Sequence, residues 1–333
     1  MTPADVFGPR ASSLGPRQRE FETVAAVTSK TRVADGVVAI QLARVDGQLW
    51  PGWTAGAHVD LILPDGKVRQ YSLCGDPEDR ERWRLGILLE KESRGGSEWI
   101  HGSLQVGGRL TVRGPRNHFQ LRDHERYLFV AGGIGITPIL PMIEEASRRG
   151  KPWSLHYGGR TRTGMAFLDE LSRRDGDIRL YFQDEVGVLP LGDILGDPSD
   201  NVGVYACGPE PMLAAVEDMR AAWPAGSLRM ERFTAAEIDV SAPGNKPIEV
   251  YLADSDVTLQ VAADESILHA VRQAGVDVLS SCTEGICGTC ETPVLEGIPD
   301  HRDSVLDEDE RAENACMMIC VSRARSSRLV LGL

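Results

Sequence analysis

Four cysteines near the carboxyl end have the spacing of a metal-binding set. They follow the pattern Cys282-x4-Cys287-x2-Cys290, and Cys320 comes after 29 intervening residues. Thiolates at this spacing hold the two bridged irons of a plant-type 2Fe-2S cluster. A structural zinc ion is the alternative, although zinc sites usually combine two Cys-x2-Cys units. Cys316 lies four residues before Cys320 and competes with it as the fourth ligand.

Two segments in the amino-terminal third offer groups that bind a mononucleotide. Arg69, Tyr71 and Ser72 supply a cation, an aromatic plane and a hydroxyl at the end of a predicted strand. We expect Arg69 and Ser72 on one face of this strand and Tyr71 on the other. The run Arg94-Gly95-Gly96-Ser97 precedes a predicted helix, whose first backbone N–H groups would form an anion cradle. A mononucleotide phosphate suits this cradle.

Two loops in the middle of the chain each join a strand to a helix. The first is Gly132-Gly133-Ile134-Gly135-Ile136-Thr137-Pro138, in which glycines let a pyrophosphate approach the backbone and Pro138 suits the first helical turn. Its spacing is not Gly-x-Gly-x-x-Gly, so the ordinary dinucleotide fingerprint is not satisfied. The second is Cys207-Gly208-Pro209, at the sheet edge where ligands tend to bind. The two loops together predict a nucleotide site.

The elements that must position these residues fall into successive regions of the 333-residue chain. Short β-type runs between turn signals predict an antiparallel barrel, and the strand–helix alternation that follows predicts a doubly wound parallel sheet. A hairpin and a short helix then precede the cysteines. The predicted division is a flexible arm at 1–20, the barrel at 21–122, the nucleotide domain at 123–233, a linker at 234–246 and the cluster domain at 247–333.

Composition and charge exclude several classes of protein. With 42% hydrophobic and 26% charged residues the chain is typical of a folded globular protein. Without a signal peptide or a long apolar run, we expect a cytoplasmic protein with no membrane span. A net charge of −13 argues against a nucleic-acid partner. Four histidines form no ligand pattern: His58, His101, His118 and His156.

The acidic residues are concentrated in the cluster domain. Residues 247–333 contain 16 acidic and 6 basic residues, a net charge of −10. An acidic surface of this kind either keeps the protein soluble or docks a basic protein partner, since complementary charge raises encounter rates.

The motifs, taken together from Phe21 to Leu333, resemble those of the phthalate dioxygenase reductase family, which includes vanillate O-demethylase reductases. The matching segments are RQYSL (69–73), RGGS (94–97), GPRNHF (114–119), GGIGITP (132–138), CGP (207–209), ERF (231–233) and MICVSRAR (318–325). The resemblance implies an FMN-binding barrel, an NADH domain of ferredoxin-reductase type and a C-terminal β-grasp ferredoxin. It also makes Cys320 the fourth cluster ligand.

The resemblance implies roles for residues at the flavin. Arg69 and Ser97 would bind the FMN phosphate, together with the rest of their segment, Arg94, Gly95 and Gly96. Tyr71 and Ser72 would contact the isoalloxazine, and Phe233 would cover the flavin near the nicotinamide. FMN is favoured over FAD because no aromatic residue for an adenine follows the phosphate loop. The residues predicted to lie beside the reacting rings are Ser72, Cys207 and Phe233.

The nicotinamide cofactor would lie in the parallel-sheet domain. Its predicted contacts are Gly132, Gly133, Gly135, Thr137, Pro138, Arg160, Asp184, Cys207, Gly208, Pro209 and Phe233. NADH is favoured over NADPH, because Asp184 and Glu185 would repel a 2′-phosphate. Arg160 and Arg162 weaken this argument, since either arginine can pair with such a phosphate.

These implications combine into a function in electron transfer. NADH delivers two electrons as a hydride and a 2Fe-2S cluster accepts one, so a flavin is implied between them. We expect the reductase component of a multicomponent oxygenase, with a Rieske oxygenase preferred as the terminal partner and a cytochrome P450 second. The alternatives are a stand-alone NADH-dependent flavin or ferric reductase and a redox-sensing binding protein.

Overall fold

The computed structural model describes residues 20–90, 95–235 and 245–333. Nearly all of the predicted arm, Arg94 and most of the predicted linker lie outside these residues. The strands form three main sheets, one in each successive part of the chain. None of the helices in the described ranges is long and apolar enough to cross a membrane.

The first region is a barrel of antiparallel strands. Its elements are β1 (Glu22–Ala34), β2 (Val37–Arg44), β3 (His58–Ile62), β4 (Val68–Ser72), β5 (Trp83–Leu88), α1 (Gly96–Gly102) and β6 (Arg109–Arg116). The spatial order is β4-β3-β6-β1-β2-β5, and a bridge between Leu73 and Leu85 joins the two edges of the sheet. Closure removes long unpaired edges. The interior holds the stacked indoles of Trp50 and Trp83, whose ring centroids lie 3.9 Å apart.

The second region is a five-stranded parallel sheet with helices. Its elements are β7 (Arg126–Gly132), α2 (Ile136–Arg148), β8 (Trp153–Gly159), α3 (Leu168–Leu171), β9 (Asp177–Phe182), α4 (Gln183–Val186), α5 (Leu191–Ile194), β10 (Val202–Cys207), α6 (Glu210–Asp218) and β11 (Leu228–Glu231). All strands are parallel, in the order β11-β10-β7-β8-β9. From β7 the chain adds β8 and β9 on one side and then β10 and β11 on the other, so the switch point lies between β7 and β10. Ligands bind at such switch points, beyond the carboxyl ends of the strands.

The third region is a mixed sheet packed against a helix. Its elements are β12 (Ile248–Leu252), β13 (Val257–Val261), α7 (Ile267–Gln273), β14 (Glu291–Glu296), β15 (Pro299–Asp300), α8 (Glu308–Glu313), β16 (Cys316–Met318), β17 (Arg323–Ala324) and β18 (Arg328–Leu331). Its order is β13-β12-β18-β14-β16, with β12 and β18 parallel.

Local signals explain the limits of α7. The Ser266 hydroxyl accepts a hydrogen bond from the His269 N–H at 3.1 Å, which caps the first turn. Gly275 follows the helix with φ of 78°, as its predicted stop requires. Ile267 and Val271 on one face are fully buried under the sheet. The predicted fold class, a barrel, a doubly wound parallel sheet and a β-grasp, is confirmed.

Candidate electron-transfer site

The four predicted cluster cysteines lie together in two contacting pairs. The Cys282 side chain forms a hydrogen bond with Cys287, and Cys290 forms one with Cys320. A 2Fe-2S cluster with four cysteine ligands needs two thiolates for each iron. The pairing therefore fits such a cluster.

Cys316, the competing fourth ligand, has a different neighbour. Its side chain forms a hydrogen bond with Glu291, and burial raises the pKa of the Cys316 thiol. Cys320, by contrast, faces Cys290. Within residues 20–90, 95–235 and 245–333, no three His, Cys, Asp or Glu side chains converge as ligands of a single ion.

Backbone N–H groups point at the sulfur atoms of the cluster loop. The Cys282 N–H donates to Cys287 Sγ at 3.4 Å, and the Glu284 N–H donates to Cys282 Sγ at 3.3 Å. Within each pair the shared hydrogen bond lowers the pKa of one thiol, Cys287 (to about 6) or Cys320, and raises the pKa of its partner, Cys282 or Cys290. Thiolates are the form that binds iron. The chemistry of the donor set therefore suits the cluster.

Arg69 and the glycine–serine loop meet in the structure. A Cβ atom on Gly96 would stand 2.7 Å from Arg69 Nε, so the Arg69 side chain passes directly over this glycine. Ser97 is buried beside it. A Cβ atom on Gly95 would lie 3.2 Å from Lys67 Nζ, a second cation that the sequence analysis missed. The two cations and the loop fit a phosphate.

Lys30 fixes the helix that follows this loop. Its Nζ donates to the carbonyl oxygens of Ile100, His101 and Leu104 at 2.8, 2.7 and 2.8 Å. Carbonyls at the C-terminal end of a helix lack partners within it, and a cation there is favourable. Lys30 thus holds α1 from the end opposite the predicted phosphate. No local motif marks this lysine, which comes from β1.

One expectation about β4 is wrong. Side chains alternate along a strand, so Arg69 and Tyr71 share one face, whereas Gln70 and Ser72 share the other. Ser72 is consequently separated from Arg69 and forms a hydrogen bond with Glu231 of the nucleotide domain. Tyr71 packs against the barrel core, and burial raises its pKa to about 12.

A buried carboxyl group joins the barrel to the parallel sheet. Glu231 contacts Ser72, and its register partner in the neighbouring strand is Cys207. Burial raises the pKa of Glu231 to about 8 and raises that of Cys207 well above its usual value. Glu231 Oε2 is buried and has no hydrogen-bond partner within the described parts of the chain. Such an atom is costly to leave unsatisfied, so the site fits a polar ligand edge.

The two loops that begin nucleotide-domain helices contact each other at the switch point of the sheet. A Cβ atom on Gly135 would overlap the Cys207 carbonyl group, and one on Gly132 would stand 2.6 Å from Pro209 Cδ. These glycines are therefore required by the packing of loop on loop. Gly133, with φ of 54°, has open space around its Cβ position.

The remaining loop residues tie this edge to the barrel. Thr137 is buried and its hydroxyl donates to the Ile134 carbonyl at 2.9 Å. A Cβ atom on Gly86 of β5 would stand 2.7 Å from the Thr137 methyl group. Pro138 lies in the first turn of α2, as expected, and Gly208 precedes Pro209, the N-cap residue of α6.

The residues predicted to select the nicotinamide cofactor lie beyond β8 and β9. The Asp184 N–H donates to the Arg160 carbonyl at 3.2 Å, and the Arg162 guanidinium lies 4.0 Å from the centroid of the Phe182 ring. The acidic turn and both arginines thus share one edge. Phe233 follows β11 and is 40% exposed, so its ring is available to cover a ligand.

The third region contacts the barrel through the loop that carries the cysteines. The Cys287 carbonyl oxygen lies 3.2 Å from His58 Nε2, and Gln70 Nε2 donates to Ser281 Oγ at 2.7 Å. The His118 ring packs directly on Gly288. We call this set the barrel contact: His58, Gln70 and His118 with Ser281, Cys287 and Gly288.

The third region also contacts the nucleotide domain, and Arg122 just before it in the chain, through charged side chains. Arg229 Nη1 lies 2.6 Å from Asp307 Oδ2, and Arg122 Nη2 lies 3.1 Å from the same oxygen. Arg122 also reaches Glu310 Oε1 at 3.5 Å. These four residues form the ionic contact. Neither contact was predicted, because the sequence analysis treated each motif within its own region.

Known proteins resemble this chain both in the region that carries the cysteines and along most of its length. Residues 250–325 match the model of the 2Fe-2S iron-sulfur cluster binding domain. Phenoxybenzoate dioxygenase subunit beta of Ectopseudomonas oleovorans is 44% identical over 84% of this chain and 87% of its own length. The phthalate 4,5-dioxygenase oxygenase reductase subunit of Pseudomonas putida is 38% identical over 92% of this chain and 95% of its own.

Two solved structures share the fold over nearly the whole chain. An intact type IV self-sufficient cytochrome P450 monooxygenase matches with a TM-score of 0.88 and 46% identity, covering 94% of this chain, which spans only 41% of that protein. Phthalate dioxygenase reductase, described as modular for electron transfer from pyridine nucleotides to a 2Fe-2S centre, matches with a TM-score of 0.67 and 34% identity. It covers 94% of this chain and 98% of its own length.

These similarities extend over the barrel, the nucleotide domain and the cluster domain together, and they confirm the resemblance drawn from the motifs. The chain belongs to the phthalate dioxygenase reductase family, the reductase components of oxygenase systems.

Proposed function

We propose that this chain passes electrons from NADH, through FMN and a 2Fe-2S cluster, to the terminal oxygenase of its own system. One observation carries the proposal. The loop with three of the four cysteines rests on β3 of the barrel, where His58 is the register partner of Ser72. The predicted flavin contact and the predicted cluster ligands therefore lie on adjacent strands and their covering loop.

The barrel residues would bind and orient FMN. Arg69 and Lys67 supply positive charge beside Gly95 and Gly96 for the phosphate, and Ser97 adds a hydroxyl. When bound, the flavin supplies the conversion of a two-electron hydride delivery into single-electron transfers. Tyr71 and Ser72 would fix its ring system from β4.

The nucleotide domain would hold NADH against this flavin. The packed loops after β7 and β10 would hold the pyrophosphate and nicotinamide at the switch point. The Asp184 carboxylate would accept hydrogen bonds from the ribose hydroxyls and would repel a 2′-phosphate. Burial raises the pKa of Glu231 to about 8, which favours its neutral form beside Ser72. The neutral carboxyl group keeps this pocket electrically neutral where the two rings would meet. Phe233 would cover the flavin until the nicotinamide enters.

The cluster domain would receive the electrons on Cys282, Cys287, Cys290 and Cys320. Each of the two contacting thiol pairs would hold one iron, and Cys316 would lie outside the set. We propose the module boundaries 21–122, 123–233 and 247–333, with a linker at 234–246.

The partner would be a Rieske oxygenase in preference to a cytochrome P450. The named dioxygenase relatives support the first, since their systems act through separate subunits. The fused monooxygenase supports the second. In either case the net charge of −10 over residues 247–333 favours a basic surface on the partner.

The test separates the modules with the Cys287→Ser variant. Loss of a thiolate from the first pair should abolish cluster assembly and electron delivery to the oxygenase, while NADH still reduces ferricyanide through the flavin at the wild-type rate. Iron and acid-labile sulfide analysis, together with both rates, provides the measurement. Cys316→Ser is the matched control and should retain the cluster. A Cys287→Ser protein that keeps its full iron content would refute the ligand set.

Identifying the partner needs a direct comparison. Purified Rieske oxygenase and purified P450 from the source genome would each be mixed with this chain and NADH, and coupled product formation would be measured. We expect the Rieske oxygenase to turn over. Turnover of the P450 alone would overturn the preferred assignment.

A further inference from the structure

We propose that His58 and His118 are positioning residues, which seat the cluster loop on the barrel and so set the rate of electron transfer from flavin to cluster. The inference rests on the proposed function and assigns a role to two side chains outside both the flavin and the cluster ligand sets. The step across this contact moves one electron at a time from flavin to iron, and no bond forms or breaks there.

His58 acts from inside the barrel wall. It lies in β3, between Ser72 of β4 and Arg116 of β6, and is 6% exposed. Its Nε2 lies 3.2 Å from the Cys287 carbonyl oxygen. A carbonyl oxygen only accepts, so the imidazole must carry its hydrogen on Nε2 and donate it. This bond fixes the backbone of a predicted cluster ligand to the strand beside the flavin.

His118 acts by shape. It follows β6, and its ring centroid lies 6.2 Å from that of His58. The ring occupies the space in which a Cβ atom on Gly288 would lie, so the loop reaches the barrel only because residue 288 is glycine with φ of 72°. His118 Nδ1 also lies 3.8 Å from Glu291 Oε2, just beyond the loop.

A polar chain under the two histidines aligns the start of the loop. Asp60 is fully buried, and its Oδ1 accepts from Arg116 Nη2 at 2.6 Å and from Gln70 Nε2 at 2.7 Å. The same Gln70 Nε2 donates to Ser281, which directly precedes the first ligand, Cys282. The barrel thus touches the loop before its first cysteine, at its second, and just after the second. Three contacts on one short loop leave it little freedom to tilt.

The consequence is kinetic, because the rate of electron tunnelling falls with the distance between flavin and cluster, and a loop freed from its contact samples longer distances. We expect His58→Leu to slow flavin-to-cluster transfer severalfold. Hydride transfer from NADH to flavin should stay at the wild-type rate, since only the backbone of His58 pairs with Ser72, whereas its imidazole hydrogen-bonds to Cys287 on the cluster side. His58→Gln, whose amide can also donate near the Nε2 position, should restore most of the rate. His269→Leu, at a surface histidine of α7, is the matched control.

Anaerobic stopped-flow absorption separates the two steps, since flavin and cluster bleach at different wavelengths. The electron paramagnetic resonance spectrum of the reduced cluster and its iron content show that the cluster itself is intact. Hydrogen–deuterium exchange over residues 281–288 gives a readout independent of turnover and should rise in His58→Leu and in His118→Ala. A merely structural histidine would change stability without changing the ratio of the two rates.

Different outcomes test the positioning role of the two histidines and the proposed electron-transfer function. The positioning role is overturned if flavin-to-cluster transfer keeps its wild-type rate in both His58→Leu and His118→Ala. It is also overturned if hydride transfer and flavin-to-cluster transfer fall by the same factor. If wild-type protein shows no NADH-dependent bleaching of flavin or cluster, the proposed function fails instead. If His58→Leu does not fold, His118→Ala alone decides. An unchanged rate of flavin-to-cluster transfer in that variant would reject the positioning role.

Discussion

The cluster domain meets its two neighbours through contacts of opposite character. The barrel contact consists of neutral hydrogen bonds and a ring packed on glycine, and it touches the cysteine loop itself. The ionic contact consists of two arginines and two carboxylates, and it touches α8, away from that loop. Neutral close packing fixes a geometry within a few tenths of an ångström, whereas charge attraction tolerates displacement and is screened by salt.

The two contacts therefore have different tasks: the ionic contact attaches the cluster domain, and the barrel contact positions its cysteine loop. Arg229 and Asp307 are 6% and 13% exposed in their side chains, so their ion pair is substantially shielded, while Arg122 is 40% exposed. Asp307 also caps α8, where it accepts from the Glu310 N–H at 2.9 Å. The ionic contact can therefore hold the domain near its neighbour, while the barrel contact decides where the cysteines lie.

The largest effect on the barrel contact is expected from Gly288→Ala. The new methyl group would overlap the His118 ring, and alanine at φ of 72° adds about 1–2 kcal/mol of backbone strain. We expect flavin-to-cluster transfer to fall severalfold, and by more than in His58→Leu. Gly275→Ala is the matched control, since that glycine has φ of 78° and nothing within 4 Å of its Cβ position.

The two glycine variants separate strain from overlap. Adding His118→Ala to Gly288→Ala should recover part of the transfer rate by relieving the overlap. No recovery, combined with an equal defect in Gly275→Ala, would mean that backbone strain alone is responsible. The barrel contact would then lose its special status.

A smaller effect is expected from Asp307→Asn, which removes the central charge of the ionic contact. Asparagine caps a helix as well as aspartate does, so α8 should persist. Glu310, 3.8 Å from Arg229, would remain as a carboxylate near this arginine. We expect the free energy of unfolding to fall by about 2 kcal/mol, below the figure for fully buried pairs because Asp307 is partly exposed. Urea titration followed by tryptophan fluorescence measures this change.

Glu308→Gln provides the control for charge alone. It lies in the first turn of the same helix and is exposed. A loss of stability in Glu308→Gln equal to that in Asp307→Asn would show that the total charge of α8 matters and that the pairing with Arg229 does not.

The smallest effect should come from salt on the wild-type protein. Raising NaCl from about 0.05 to about 0.5 M screens the ionic contact and leaves the neutral barrel contact intact. We expect the internal transfer rate to fall by less than about threefold, and the residual sensitivity to disappear in Asp307→Asn. A steep fall that persists in Asp307→Asn would place the controlling charges elsewhere.

Much of the site was predictable because its signals are local. Cys282, Cys287 and Cys290 fall within one loop, and the spacing of such ligands is fixed by the short chain between them. The loops at 132–138 and 207–209 were recognisable because each must turn sharply from a strand into a helix. The barrel and the parallel sheet followed from short strands between turn signals and from strand–helix alternation, whereas the β-grasp followed from the family resemblance.

Residues that act across the chain escaped prediction. Lys30 acts on α1, about 70 positions away in sequence, and Lys67 approaches Gly95 only after the barrel closes. Glu231 was visible in the ERF motif, yet its pKa of about 8 depends on burial between two domains. The predicted facing of Arg69 and Ser72 was wrong, because residues three apart on a strand lie on opposite faces and Ser72 contacts Glu231.

The sequence by itself determined the chemistry that this protein can perform, since residue types and short spacings specify cysteine ligands, glycine turns and the apolar pattern of each domain. Only the tertiary structure decided the arrangement between domains: which thiols pair, which histidines touch the cluster loop and which arginines meet α8. The physical reason is range. Spacing constrains neighbours along the chain, whereas contacts such as that between His58 and Cys287, 229 positions apart, exist only when separate cores pack against each other.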